Sequence, residues 1–210
     1  MKALVSIITV NYNGLRDTCE MIDSFRNHET YPHYEIIVVD NGSRLPEAEE
    51  IQERYRGNLV PDGSLSGSPA SDNPASFPPV KVVRNINNGF AGGNNAGLKA
   101  AGGDYLFFIN NDTLIKEPVL DALVRRMECD PQRNGGVSPM LKFAACPDIL
   151  QYAGFTPLSS LTLRNASIGF MQQDGPRFRT TCETASVHGA ARMVSRQALQ
   201  DAGPESEIYF

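Results

Sequence analysis

The chain has 210 residues, 41% hydrophobic and 20% charged, with a formal charge of −5. That length suffices for one α/β domain with its own core, and the composition is ordinary for a globular protein. The acidic balance and the lack of a Lys/Arg run exclude the basic footprint of nucleic-acid binders, so no nucleic-acid partner is expected.

The first residues, MKALVSIITV, carry an apolar run too short to span a membrane. The run has no small-residue cleavage site and continues into polar NYNG, so it reads as a first strand, Leu4 to Val10. Leu15 to Asn27 has helical spacing, with Leu15, Cys19, Ile22 and Phe25 on one stripe. Glu35 to Val39 (EIIVV) is a second buried strand, ended by Asp40-Asn41-Gly42-Ser43. Pro46 to Tyr55 reads as a charged, exposed helix with proline in its first turn. Gly57 to Pro79, rich in Gly, Ser, Pro and Asp, reads as a long surface excursion, partly disordered.

Val80 to Arg84 is a third strand, and Asn88 to Ala101 a helix of small residues ended by Gly102-Gly103. Tyr105 to Ile109 is a fourth strand running into Asn110-Asn111-Asp112. Glu117 to Cys129 is a further helix. This alternation predicts a parallel sheet with helices on both faces. Beyond Gly135 the pattern loosens. Gly136 to Phe143, Gln151 to Pro157, Leu161 to Asn165 and Val187 to Ser195 read as short strands, and Arg196 to Ala202 as a last helix. The expected fold is α/β: a Rossmann-like, mostly parallel sheet flanked by helices, with a smaller mixed-sheet C-terminal portion. One domain covers 1–210, with its regular strand–helix half over 1–113 and its looser half over 114–210.

Cys19, Cys129, Cys146 and Cys182 form no CxxC pair and read as reduced thiols in a cytoplasmic protein, with no structural zinc site. The inner face of the membrane stays open as an alternative location, through peripheral association of the full-length protein.

Two acids end buried strands. In open α/β sheets the C-terminal strand edge is where ligands bind. Asp40 there can accept from a ribose or base, or cap its own turn through Gly42 or Ser43. Asp112 can ligate a hard cation such as Mg²⁺ or Mn²⁺, or cap a helix or turn. Gly89, Gly92, Gly93 and Gly97 around Asn94 and Asn95 allow a close approach of backbone to ligand, or close helix–sheet packing. The spacing is neither GxGxxG after a first strand nor a Walker loop. His188 lies on an expected strand and reads as structural.

The segments VSIITVNYNG, EIIVVDNGS and NNGFAGGNNAGLKAAGGDYLFFINNDT, with DILQYAG and VHGAARMVSRQALQDAGP later, resemble family 2 glycosyltransferases of the A-type nucleotide-sugar-binding fold. The rhamnosyltransferase-like bacterial members that build surface polysaccharides are the most similar group. The resemblance implies that Val10, Asn11, Tyr12 and Asn13 line the nucleoside pocket and that Asp40 contacts base or ribose. It implies that Gly89 and Asn95 lie near the donor. Asn110, Asn111 and Asp112 stand where many members carry Asp-x-Asp, which leaves Asp112 as the anionic metal ligand. It further implies a nucleoside-diphosphate sugar donor, a glycan or lipid-linked acceptor, a divalent cation and an inverting transfer. The general base is expected beyond Phe210, and neither Glu205 nor Glu207 is assigned to it. The sequence then reads as a piece of a longer chain, competent to bind donor but not to turn over. The alternatives are a non-catalytic nucleotide-sugar-binding module and a sugar nucleotidyltransferase. NYNGLRDT is too poor in Gly and basic residues for the triphosphate loop of the latter.

Overall fold

The structure, a computed structural model, describes residues 2–55, 58–60, 78–131 and 133–207. Strands β1 (Val5–Asn11), β2 (Tyr34–Asp40), β3 (Asn58–Val60), β4 (Val80–Arg84), β5 (Tyr105–Ile109), β6 (Gly136–Val137) and β9 (Ala191–Ser195) form one seven-stranded sheet. Its order is β3-β4-β2-β1-β5-β9-β6. The five strands from β3 to β5 are parallel, and β9 and β6 close the far edge antiparallel. A separate hairpin pairs β7 (Leu141–Phe143) with β8 (Cys146–Tyr152). This is the mixed α/β architecture expected, with a mostly parallel sheet.

The apolar run of each central strand splits between two helical layers, as burial of both sheet faces requires. Val5, Ile7, Ile36, Val38 and Phe107 pack against α1 (Leu15–His28), α2 (Glu47–Tyr55) and α4 (Leu120–Cys129). Ile8, Ile37, Val39, Leu106 and Phe108 face α3 (Gly89–Ala100) and α5 (Arg196–Ala202). Phe25 and Phe107 are fully enclosed and meet edge to face at 6.5 Å. Burying a side chain of this size contributes about 1.5–3 kcal/mol. Helix α3 lies close on the sheet because its inner face is glycine. A Cβ on Gly97 would meet Ile8 Cγ2 at 2.5 Å, and one on Gly93 would meet Val10 Cγ1 at 2.9 Å.

Several boundaries differ from the sequence expectation. Helix α2 is not exposed throughout: Glu47, Ala48, Ile51 and Tyr55 are buried, because their i, i+4 spacing forms an inward stripe. The expected excursion from Gly57 to Pro79 lies mostly outside the described residues, but it contains β3, which extends the parallel sheet beside β4. Helix α4 starts at Leu120 rather than Glu117, and its first amides are taken by a distant carboxylate. Glu29 Oε2 accepts from Val119 N at 2.9 Å and Leu120 N at 3.1 Å, where a helix N-terminus favours an anion. Of the segment expected as a strand from Gln151 to Pro157, only Gln151 and Tyr152 lie in a strand, as the end of β8, and Phe155 forms an isolated bridge to Ser167. Leu161 to Asn165 is a turn rather than a strand, closed by Ser159 N–H donating to Arg164 O at 2.9 Å.

All four cysteines are free, and only Cys19 is buried. Among the described residues no helix is long and apolar enough to cross a membrane.

Candidate active site

Parallel register brings three strand ends to one edge. Asn11 lies opposite Asp40, and Ile8 opposite Phe108, so β5 runs out into Asn110, Asn111 and Asp112 beside the end of β1. Asp40 and Asp112 therefore share the C-terminal edge of the sheet, where open α/β sheets take ligands.

A continuous set of side-chain hydrogen bonds runs along this edge. Asn111 Nδ2 donates to Thr18 Oγ1 at 3.1 Å, and Thr18 Oγ1 donates to Asn11 Oδ1 at 2.7 Å. Asn11 Nδ2 then donates to Asp40 Oδ1 at 3.0 Å and Glu47 Oε2 at 2.8 Å. Glu47 also accepts from Gly14 N at 3.1 Å, and the Ser43 hydroxyl donates to Asp40 Oδ1. Each group in the chain polarises the next, which strengthens the set beyond its separate pairs. Asn11, Thr18, Asp40 and Glu47 are all buried. The β1–α1 and β2–α2 connections are in effect tied together by this network.

The remaining predicted residues fall around it. Val10 is half-buried beneath Gly93 of α3. Tyr12 is 47% exposed. Asn13 adopts a left-handed φ of +52°, which asparagine tolerates. Its N–H donates to Ser43 Oγ at 2.9 Å, and its Oδ1 accepts from Arg44 N at 2.9 Å. Gly89 opens α3 at φ +83°, and its carbonyl accepts from Asn41 Nδ2 at 3.0 Å. Asn95 is buried and bound to the C-terminal segment. Its Nδ2 donates to Glu207 Oε1 at 2.7 Å and Glu205 O at 2.8 Å, and its Oδ1 accepts from Glu205 N at 3.0 Å. The Glu205 carboxylate is held by Asn94 and Arg192. Burial lowers the Arg192 pKa from its ordinary value.

Thr18, Ser43 and Glu47 were not singled out from the sequence. A signal was present for two of them. Thr18 sits three residues after Leu15 and four before Ile22, and Glu47 four before Ile51. Each is a polar residue on the inward stripe of an amphipathic helix, and such a residue is buried only with partners.

His188 is not in a strand but in the approach to β9. Its ring stacks on Phe155 at 5.8 Å and 9°, and its Nδ1 accepts from Ala190 N at 3.1 Å. Burial pushes its pKa below the ordinary 6.5. Two surface concavities lie away from Asp40 and Asp112. One is bordered by Arg16, Glu20, Glu50 and Glu53, and the other, of about 830 Å³, lies beside α4 and β6.

The residues at the end of β5 suit a hard cation. Asn110 Oδ1 is buried with no hydrogen-bond partner, and Asp112 is exposed with no ion pair or hydrogen bond to its carboxylate among the described residues. Mg²⁺ and Mn²⁺ sites commonly use one or two carboxylates with substrate phosphates and water, rather than a full protein cage. No cluster of three acidic, His or Cys ligands occurs among the described residues, in keeping with such an open site.

The family model described as glycosyl transferase family 2 matches residues 6–203. The chain belongs to that family. Curated relatives include an uncharacterized glycosyltransferase, EpsJ, of Bacillus subtilis. It is 30% identical over 128 residues, covering 61% of this chain and 31% of EpsJ. The O-antigen biosynthesis protein RfbC of Myxococcus xanthus is 29% identical over 109 residues, covering 51% of this chain and 7% of RfbC. The chain thus spans less than a third of either relative.

Solved structures share the fold at lower identity. The crystal structure of S. aureus TarS 1-349 superposes with a TM-score of 0.61 at 18% identity, covering 98% of this chain and 51% of that one. The mannosyltransferase PcManGT of Pyrobaculum calidifontis, in complex with GDP-Man and Mn2+, gives 0.59 at 16% identity, covering 99% and 49%. The glycosyltransferase A-type architecture is therefore present.

Proposed function

We propose that this family 2 glycosyltransferase domain binds a nucleoside-diphosphate sugar at the C-terminal edge of its sheet and passes the sugar, with inversion, to a hydroxyl of a glycan or lipid-linked acceptor. The observation that carries the reading is Asp112: an exposed carboxylate, unpartnered among the described residues, on the same strand edge as the buried Asn11–Asp40 pair. Asp40 Oδ1 is occupied by Asn11 and Ser43, while Oδ2 takes no hydrogen bond from the described residues and is the atom to accept from base or ribose. The exposed Tyr12 ring offers a stacking face for the base. Asp112, with Asn110 Oδ1, would hold a divalent cation, which when bound supplies Lewis-acid stabilisation of the leaving diphosphate. Fixing the donor beside the acceptor lowers the entropic part of the barrier.

TarS has been solved with UDP-GlcNAc and PcManGT with GDP-Man and Mn2+, which supports a nucleotide-sugar donor and a divalent cation here. The name of RfbC supports a role in surface polysaccharide synthesis. The domain would act from the cytoplasmic side, where nucleotide sugars are available.

Calorimetric titration of UDP, GDP and their sugars with and without Mn²⁺ tests the reading. Affinity should rise at least about tenfold with metal, and Asp112→Ala should abolish that gain. Binding that ignores both metal and Asp112 would refute the assignment.

A further inference from the structure

The chain from 150 to 172 folds back on itself as a hairpin. Thr156 N–H donates to Ala166 O at 3.0 Å, and Ala153 N–H to Ile168 O at 2.9 Å. Its tip presents Leu158, Leu161 and Leu163, which are 62%, 90% and 76% exposed. None of these side chains serves the core. Leu163 also adopts φ +51°, a left-handed conformation that bulky side chains rarely take and that Asn or Gly would adopt more easily. A leucine here is neither demanded by the turn nor buried by the domain.

Part of the tip's backbone is also hydrogen-bonded internally. The N–H groups of Leu161 and Thr162 donate to Ser159 Oγ, each at 3.3 Å, and that of Leu163 to Ser159 O at 2.9 Å. Backbone donors satisfied internally can leave water without the penalty of orphaned polar groups. The charge pattern agrees. No Asp or Glu occurs from Ile149 to Gln173, in a chain with 24 acidic residues, while Arg164 stands beside the tip. The first acid beyond, Asp174, is neutralised by Lys142 at 2.8 Å and Arg179 at 2.7 Å.

We propose that this hairpin docks the domain on a lipid bilayer, its three leucines entering the interfacial region and Arg164 facing anionic headgroups. Apolar insertion combined with basic attraction is the pairing that gives reversible membrane binding. The hairpin joins the candidate active site through its base: Phe155 stacks on His188, His188 Nδ1 accepts from Ala190 N, and Ala190 O accepts from Asn110 N at 2.9 Å. A docked tip would therefore hold the Asn110–Asp112 strand end at a fixed height over the membrane, where a lipid-linked acceptor lies. The docking does not depend on the donor reading, and each can fail alone.

Vesicle flotation tests it, with phosphatidylcholine alone and with phosphatidylcholine plus phosphatidylglycerol. The wild-type chain should float with the anionic vesicles and be released by high salt. The combined variant Leu158→Ser, Leu161→Ser, Leu163→Asn should partition about a hundredfold less. Its nucleoside diphosphate binding and thermal midpoint should be unchanged, since asparagine relieves the left-handed strain. The chain has no tryptophan, so Leu161→Trp gives a single reporter, expected to shift its emission to the blue only with anionic vesicles. Failure of the wild type to float, equal flotation of the triple variant, or an unshifted Trp emission would overturn the proposal. Leucine-dependent self-association without lipid binding would overturn it too, by assigning the tip to a second copy of the chain.

Discussion

Glu47 offers the sharpest test of how the strand edge is held together. Its carboxylate is buried and accepts from Asn11 Nδ2 at 2.8 Å and Gly14 N at 3.1 Å, and the Ser43 hydroxyl, which donates to Asp40, lies 3.2 Å away. Glu47→Ala strands two enclosed donors. Hydrogen bonds to a charged group are worth about 1.5–3 kcal/mol each, which sets a gross loss of about 3–6 kcal/mol. Removing a carboxylate that had to be desolvated returns part of this, so a net loss of about 3 kcal/mol is expected. Thr18→Val cuts the same network at its other end, freeing Asn111 Nδ2 and Asn11 Oδ1, and should cost about 1–2 kcal/mol. Because both residues act on Asn11, the double variant should lose less than the sum of the two singles. Urea denaturation of the four proteins measures all three quantities. Nucleotide affinity should fall about tenfold in Glu47→Ala at temperatures where it remains folded, as Asn11 and Asp40 lose their fixed orientation. A loss under about 1 kcal/mol with additive energies and unaltered affinity would show that the network is incidental.

Two further outcomes follow from the same geometry. Burial holds the His188 imidazole below its ordinary 6.5, so the folded protein keeps it neutral while the unfolded chain takes up the proton first. Stability from this residue is full above pH 6.5 and is lost as pH falls toward the lower folded value. His188→Phe, which keeps the stack on Phe155, should flatten thermal midpoints across that window, and an unchanged slope would refute this account. Asn110→Asp places a second carboxylate where an amide oxygen now lacks a partner, so Mn²⁺ affinity should rise about tenfold while stability without metal falls. A calorimetric Mn²⁺ titration with paired melting curves checks both directions, and unaltered affinity would place Asn110 outside the metal site.

How much of this could be read from the residues depended on which physical signal dominated locally. Buried strands declare themselves by unbroken apolar runs, and β5 was legible to the residue because Tyr105–Ile109 sits between a glycine pair and a run of polar residues. The parallel edge, and with it the meeting of Asp40 and Asp112, followed from strand–helix alternation. The C-terminal portion was harder. β8 begins at Cys146, in a stretch whose exposed first residues give no alternation, and Leu161 to Asn165 imitates a strand because Leu161 and Leu163 alternate with polar residues at a spacing a turn can also hold. Asn95 shows a different limit. The family resemblance implies a place near the donor, but its partners Glu205 and Glu207 lie 110 and 112 residues away, and no local pattern announces a pairing of that range. Glu47 was obscured by its neighbours: a helix reading EAEEIQERY looks solvated until the i, i+4 stripe through Ile51 and Tyr55 is traced.

The two strand-end acids are opposites in their surroundings, and that difference is what gives the edge its logic. Asp40 is enclosed, with one oxygen already bonded by Asn11 and Ser43, so only its second oxygen remains for a ligand and its orientation is set beforehand. Preset donors and acceptors lose little freedom when a nucleoside arrives, which raises affinity without new contacts. Asp112 is exposed and unengaged among the described residues, as the proposed reading asks of a group that would meet a hydrated cation and a charged diphosphate and then release both. Were Asp112 buried in the same network, its charge would already be spoken for. Were Asp40 as free as Asp112, base recognition would have to order it at each turnover. On the proposed reading, a rigid recognition end and an open phosphate end, joined through Asn11, Thr18 and Asn111, would let one edge bind tightly at the part of the donor that does not react and loosely at the part that does.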